Sequence, residues 1–323
     1  MDSVVNSISK FRTELMGVAT LMILLGHSVF YGQGIVDYGL FQNIFTLGYC
    51  GVDIFLFLSG FGLIFSMKKN TKQEFYFHRF QRLWPSIFLI VCLNLIVNYK
   101  GLSYYMLNPL YWFGCYWYIG FIIVAYWLFP YLYQCLCKWT KALFWLSIVV
   151  SLILFVPFIV KGHAESNQYT CFITRIPIFV MGASIVMGGQ IWMFSKKAMM
   201  VLGLVGLLTL IPFYIDDNLG GNKTMNTYYS FVLLTPVIIR GMLSFLNLNT
   251  SKVVLKILRW LGKYSLEVYL VQVTIMAPFI HYFNRHNFSV FVNLIFTFCI
   301  ILFISVIMKQ IADKFKLFFT NND

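Results

Sequence analysis

Long stretches free of charge alternate along the chain with short stretches that carry several charges. Apolar runs near the length needed for a helix to cross a bilayer, about 20 residues, fall over 14–31, 48–67, 84–98, 114–134, 142–160, 172–190, 198–215, 226–246, 264–281 and 288–308. The pattern predicts an all-α, polytopic transmembrane helix bundle of about ten helices. The third run is short and is expected to take in Trp84 and Pro85, with the proline near its start. The first run has no small-residue cleavage site and reads as a retained helix, not a signal peptide. The segment 99–113, YKGLSYYMLNPLYWF, is aromatic and outward-facing, suited to the interface or to the wall of a groove. No tandem repeat or soluble appendage interrupts the pattern, so residues 1–323 read as a single membrane domain.

Composition supports this. Of the 323 residues 60% are hydrophobic and 11% charged, against about 25% charged in soluble domains. Too few charges remain to cover a soluble globule. The net charge of +13 raises the question of nucleic acid, but the basic residues are dispersed among helix ends and form no nucleic-acid face. One side of the bundle takes Lys10 and Arg12; Lys68, Lys69, Lys72, Arg79 and Arg82; Lys138 and Lys141; Lys196 and Lys197; Lys252, Lys256, Arg259 and Lys263; and Lys309, Lys314 and Lys316. The other takes Lys100, Lys161, Lys223 and Arg285. Cytoplasmic loops are the basic ones, so both the N- and C-termini are expected in the cytoplasm. The seven cysteines, mostly inside apolar runs, give no disulfide framework and read as small buried hydrophobes. The histidines match no metal motif, and there is no phosphate-binding glycine loop.

Ionisable side chains inside membrane helices are costly and mark interiors or cavities. His27, in VATLMILLGHSVFYG, and Asp53, in GVDIFLFLSGFGL, lie on adjacent antiparallel helices and are expected at similar depth. An aspartate there orients the imidazole, which takes a proton from an attacking hydroxyl; the bland reading is a structural contact between helices. Arg79 and Arg82, in FYFHRFQRLWP, share a helix face at i,i+3 and suit either inner-face anchoring or a clamp on a phosphorylated cytoplasmic donor. Arg175 is placed at the outer mouth of the sixth helix, to neutralise a carboxylate, meet an acidic sugar or reach headgroups. Glu267, four residues after Lys263, suits an exposed pair at a helix end. Ser59 and its neighbouring glycines read as a close-packing surface.

Taken in order, these segments resemble the acyltransferase family 3 proteins, integral membrane acyltransferases that typically modify bacterial surface sugars or peptidoglycan. The resemblance runs from about residue 8 to 310 and rests on the helix ending at His27, on GVDIFLFLSGFGL, HRFQRLWPSIFL, CYWYIGFIIVAYWLFP and RIPIFVMGA, and on LGKYSLEVYLVQ. It implies a multi-pass protein of a bacterial inner or plasma membrane. The implied activity is an acyltransferase, an O-acetyltransferase in particular, that moves an acyl group from cytoplasmic acyl-CoA, typically acetyl-CoA, to a hydroxyl of a surface or exported glycan. No tightly bound cofactor is implied. The partners are membrane lipids, a glycan or lipid-linked saccharide acceptor, and polysaccharide export machinery.

Carried onto this chain, His27 is the base and Asp53 its orienting carboxylate; Arg12, Arg79 and Arg82 hold donor phosphates; Arg175, Glu267 and Gln272 face substrate. Two positions depart from the family pattern. Met16 stands where an arginine is common, eleven residues before His27, with Arg12 one turn earlier on the same face. Gln272 stands where a histidine is common, and it hydrogen-bonds without acting as a base near neutrality. A transporter or flippase for a glycan or lipid-linked intermediate is the alternative, and a noncatalytic scaffold a further one.

Overall fold

The computed structural model describes residues 2–97, 116–160, 168–215, 223–248 and 251–320. The aromatic segment 99–113, Cys115, Lys100 and Lys161 lie outside these. Every regular element among the described residues is helical: α1 (Asp2–Lys10), α2 (Arg12–Gly32), α3 (Phe41–Thr46), α4 (Cys50–Lys69), α5 (Lys72–Val97), α6 (Trp117–Val160), α7 (Gln168–Thr174), α8 (Ile176–Val186), α9 (Lys196–Ile215), α10 (Lys223–Asn247), α11 (Lys252–Lys263), α12 (Ser265–Arg285) and α13 (Val290–Thr320), with 3-10 turns at Leu47–Tyr49 and Ile191–Phe194. Among the described residues eight stretches are long and apolar enough to cross a membrane: Arg12–Gly32, Phe41–Lys69, Lys72–Ile96, Trp117–Pro157, Tyr169–Val186, Tyr229–Asn247, Ser265–Arg285 and Val290–Lys316. The protein is therefore an all-α, polytopic membrane protein.

Two boundaries differ from the hydropathy reading, each for a local reason. The third helix starts at Lys72, not near 84. Thr71 and Glu74 form a capping box, with Thr71 N donating to Glu74 Oε2 at 2.8 Å and Glu74 N donating to Thr71 Oγ1 at 3.3 Å. Pro85 is thereby left in mid-helix, and Arg79 and Arg82 share a helix as expected. The second span begins as early as Phe41, taking in α3 and the 3-10 turn. The fourth and fifth apolar runs form the two arms of α6, which fold back at Trp139 (φ −133°, ψ 48°) as the hydropathy reading expects: Phe121 before the break lies 4.8 Å from the Phe172 ring and Ser151 after it donates to the Ile173 carbonyl at 2.9 Å.

α4 is the core of the bundle, buried at every position from Cys50 to Phe61, and packs on α2, α8 and α10. Its close approach to α8 depends on small residues: a Cβ on Gly60 would strike the Phe179 carbonyl, and one on Gly182 the Phe57 carbonyl. α11 packs in the same way on the first turns of α2, where Gly17 meets Leu258 and Gly262 meets Thr13. There Arg259 donates to buried Glu14 at 2.6 and 3.0 Å. The outer surface is apolar too, with Trp127, Ile153, Leu204 and Phe303 exposed. This corrects the expectation that every cysteine is buried. Cys50 is buried, Cys92 and Cys171 are half-buried, and Cys135, Cys137 and Cys299 face outward. Against lipid a small apolar side chain suits the exterior as well as the core.

Candidate functional site

Five helices, α2, α4, α5, α6 and α12, surround a cavity of about 140 Å³. Helical spacing explains which side chains reach it. On α4, Phe55, Ser59, Gly62 and Leu63 form one stripe at i, i+4, i+7 and i+8. On α2, Arg12 and Met16 are one turn apart, and on α5, Arg79 and Arg82 project together. Tyr118 and Tyr126 of α6 and Tyr269 of α12 complete the wall. The three arginines read from the sequence as phosphate ligands thus meet in one recess, together with Met16.

The guanidinium groups are held without being neutralised. Arg12 Nη2 donates to the Leu58 carbonyl at 3.3 Å, and its head fills the space that a side chain on Gly62 would take. Arg79 Nη2 donates to Ser66 Oγ at 2.8 Å, and its guanidinium stands 5.5 Å from the Phe75 ring and 5.7 Å from the Tyr126 ring. Arg82 is exposed. Among the described residues no carboxylate pairs with any of the three. Nε of Arg12 and of Arg79 is buried without a hydrogen-bond partner. Buried donors in this state carry a desolvation cost that an anionic ligand removes.

His27 lies eleven residues beyond Met16, three turns on the same face of α2, and about 16 Å along the axis. Its ring stands 6.4 Å from Tyr269 and 5.8 Å from Tyr31, and Tyr269 stands 5.0 Å from Tyr118. Tyr269 therefore touches both the cavity and His27. Nδ1 of His27 is buried and has no hydrogen-bond partner.

The expected pairing of His27 with Asp53 is not formed. Gly51 abuts Ala19, and Gly48 abuts Met22 and Gly26. Asp53 therefore lies opposite the turn near Ala19, eight residues and about 12 Å along the axis from His27. With the second span beginning at Phe41, Asp53 lies twelve residues into it. Asp53 also faces away from the cavity, on the stripe with Phe57 and Gly60 that packs against α8. Its Oδ1 is 2.9 Å from Arg175 Nε, and both residues are at most 2% exposed. Arg175 caps α8 at the break from α7, lies 5.0 Å from the Trp117 ring and donates from Nη1 to the Cys171 carbonyl at 3.3 Å. It is thus packed inside the bundle, not at an outer mouth. Of its sequence-based alternatives, the neutralised carboxylate is the one formed.

Glu267 is buried, not part of an exposed pair with Lys263. It accepts from Ser86 Oγ at 2.9 Å and lies 3.6 Å from Lys309 Nζ, tying α12 to α5 and α13. Gln272 is buried, three residues after Tyr269, with Oε1 lacking a partner. Sequence reasoning missed Tyr118, Tyr126 and Tyr269 as cavity residues, although CYWYIGF and LEVYLVQ contain two of them. It also missed the buried cluster in which Asn94 Nδ2 donates to Tyr116 at 2.8 Å and the Tyr116 and Thr274 hydroxyls lie 2.6 Å apart.

Comparison with known families matches the acyltransferase domain model Acyl_transf_3 over residues 15–309, which begins just after Arg12. No curated protein and no solved structure matches the chain. With a match over nearly all of its length, on a polytopic helical bundle, the chain belongs to the membrane-embedded acyltransferase family 3.

Proposed function

We propose that the protein is an O-acyltransferase, an O-acetyltransferase in particular, that moves an acyl group from cytoplasmic acyl-CoA to a hydroxyl of a surface or exported glycan. One observation carries this reading: three arginines without a carboxylate partner among the described residues converge on one cavity, and Arg12 shares its helix with His27. Guanidinium groups suit the phosphates of a coenzyme A donor. We read Arg12, Arg79 and Arg82 as that clamp, at the cytoplasmic mouth of a single domain of ten spans with both termini inside. The eight stretches yield ten spans if α6 crosses twice, around Trp139, and α9, at 20 residues, crosses once.

In this reading a donor whose phosphates rest at Arg12 extends about 22 Å along α2, past Tyr118 and Tyr269, to present its acyl carbon at His27. Neutral His27 accepts the proton of the acceptor hydroxyl as its oxygen attacks the thioester carbonyl. The carbon–sulfur bond breaks, and the proton passes from His27 to the departing thiolate. Gln272, one turn beyond Tyr269, offers a hydrogen bond to the acceptor. Asp53 and Arg175 serve as a fixed ion pair between α4 and α8, and Glu267 anchors α12 beside the cavity.

The test is mass spectrometry of surface glycans from cells carrying the intact chain or His27→Ala at matched abundance. Loss of general-base catalysis typically costs about 100- to 10,000-fold, so the chain-dependent acyl mass is expected to vanish in the variant. Unchanged modification in His27→Ala removes His27 as the base. A chain that moves glycan without any acyl-dependent mass favours the transporter reading.

A further inference from the structure

A second recess lies on the outside of the bundle between α5 and α6, with a volume of about 280 Å³. It shares Arg79, Leu83 and Tyr126 with the arginine cavity. Leu83, Ile87 and Ile123 line it with aliphatic carbon. Phe80 and Trp84 stack at 5.7 Å along one edge, and the Tyr76 hydroxyl donates to the Trp127 carbonyl at 2.9 Å, joining α5 to α6. Phe80, Trp84 and Trp127 are 57%, 45% and 64% exposed, so this wall faces whatever surrounds the bundle. On a membrane-spanning helix pair that surrounding is hydrocarbon.

We infer that this recess holds an acyl chain of a membrane glycerophospholipid whose headgroup phosphate is bound by Arg79. The trough is almost wholly apolar and ends at one cation that has no carboxylate partner and a buried, unpartnered Nε. That cation lies on the basic side of the bundle, with Lys68, Lys69, Lys72 and Arg82 nearby in the chain. A phospholipid has this arrangement of apolar chain and anionic head, and it is already present at this depth. Basic pockets between membrane helices recognise lipid phosphates in this way. The site shares Arg79 with the proposed donor clamp, and the variants that fill the trough while leaving Arg79 in place separate it from the acyl-transfer reading.

The test is native mass spectrometry of the full chain from detergent, with added phosphatidylglycerol, diacylglycerol of the same chains, or glycerol 3-phosphate. Phosphatidylglycerol is expected to be retained about fivefold or more over either single-feature probe. Arg79→Ala lowers phosphatidylglycerol to the level of diacylglycerol. Ile123→Trp fills the trough and removes retention, and Ile87→Trp does the same from the other wall. Leu152→Trp, on an exposed part of α6 away from the recess, leaves retention unchanged. Equal retention of diacylglycerol, equal retention of glycerol 3-phosphate, or full retention in both tryptophan-filled variants overturns the assignment.

Discussion

Two arginine environments coexist in this bundle. Arg175 is buried against Asp53 at 2.9 Å, under the ring of Trp117, with its charge cancelled where it stands. Arg12, Arg79 and Arg82 gather around a cavity with carbonyl, hydroxyl and aromatic neighbours and, among the described residues, no carboxylate. A membrane charge that is fully paired fixes helices, whereas uncancelled charges around a space are arranged for something that enters it. Distinguishing the two requires the partner, which residue type and depth alone do not reveal.

The largest expected effect is on the paired side. Arg175→Met strands the Asp53 carboxylate, and removing one partner of a buried pair costs about 3–5 kcal/mol. Thermal unfolding in detergent should show that loss, with most of it recovered in Asp53→Asn/Arg175→Gln. A single variant as stable as the parent would remove the pair as the pin between α4 and α8. A smaller effect is expected on the cavity side from Gly62→Ala, whose new methyl meets the Arg12 guanidinium. Overpacking of about 1 kcal/mol there corresponds to roughly fivefold weaker donor binding, without an equal loss of thermal stability. Donor affinity unchanged in this variant would take Arg12 out of the clamp. The smallest is Glu267→Gln, which keeps the Ser86 contact and removes a charge beside Lys309. Lys309 also has Asp313 at 3.3 Å, so the loss should stay within about 1 kcal/mol by unfolding. A much larger loss would mean that Lys309 depends on Glu267 more than the geometry indicates.

Much of the cavity side was legible in the sequence. Met16 and His27, eleven residues apart, share a face of α2 by helical period alone, and Arg79 and Arg82 pair at i,i+3 whether or not the helix start is known. The paired side was not legible. Asp53's depth depends on where its span begins, and the polar residues Gln42 and Asn43 made α3 look like a loop. Its partner lies 122 positions away on a helix that breaks at Arg175 itself. Glu267 was read from its near neighbour Lys263, but tertiary contacts with Ser86 and Lys309 decide its environment. Hydropathy placed the turn between the arms of α6 near Lys138 and Lys141, and the chain breaks there, at Trp139.

The most direct test of the central claim is a titration of acetyl-CoA into the purified full chain, comparing Arg79→Ala/Arg82→Ala with Asp53→Asn/Arg175→Gln. Each charge-assisted hydrogen bond lost costs about 1.5–3 kcal/mol, so the first variant is expected to bind about 100-fold more weakly or worse. The second is expected to stay within about threefold of the parent, because its charges already cancel each other. Affinity kept in the first variant and lost in the second would contradict the account.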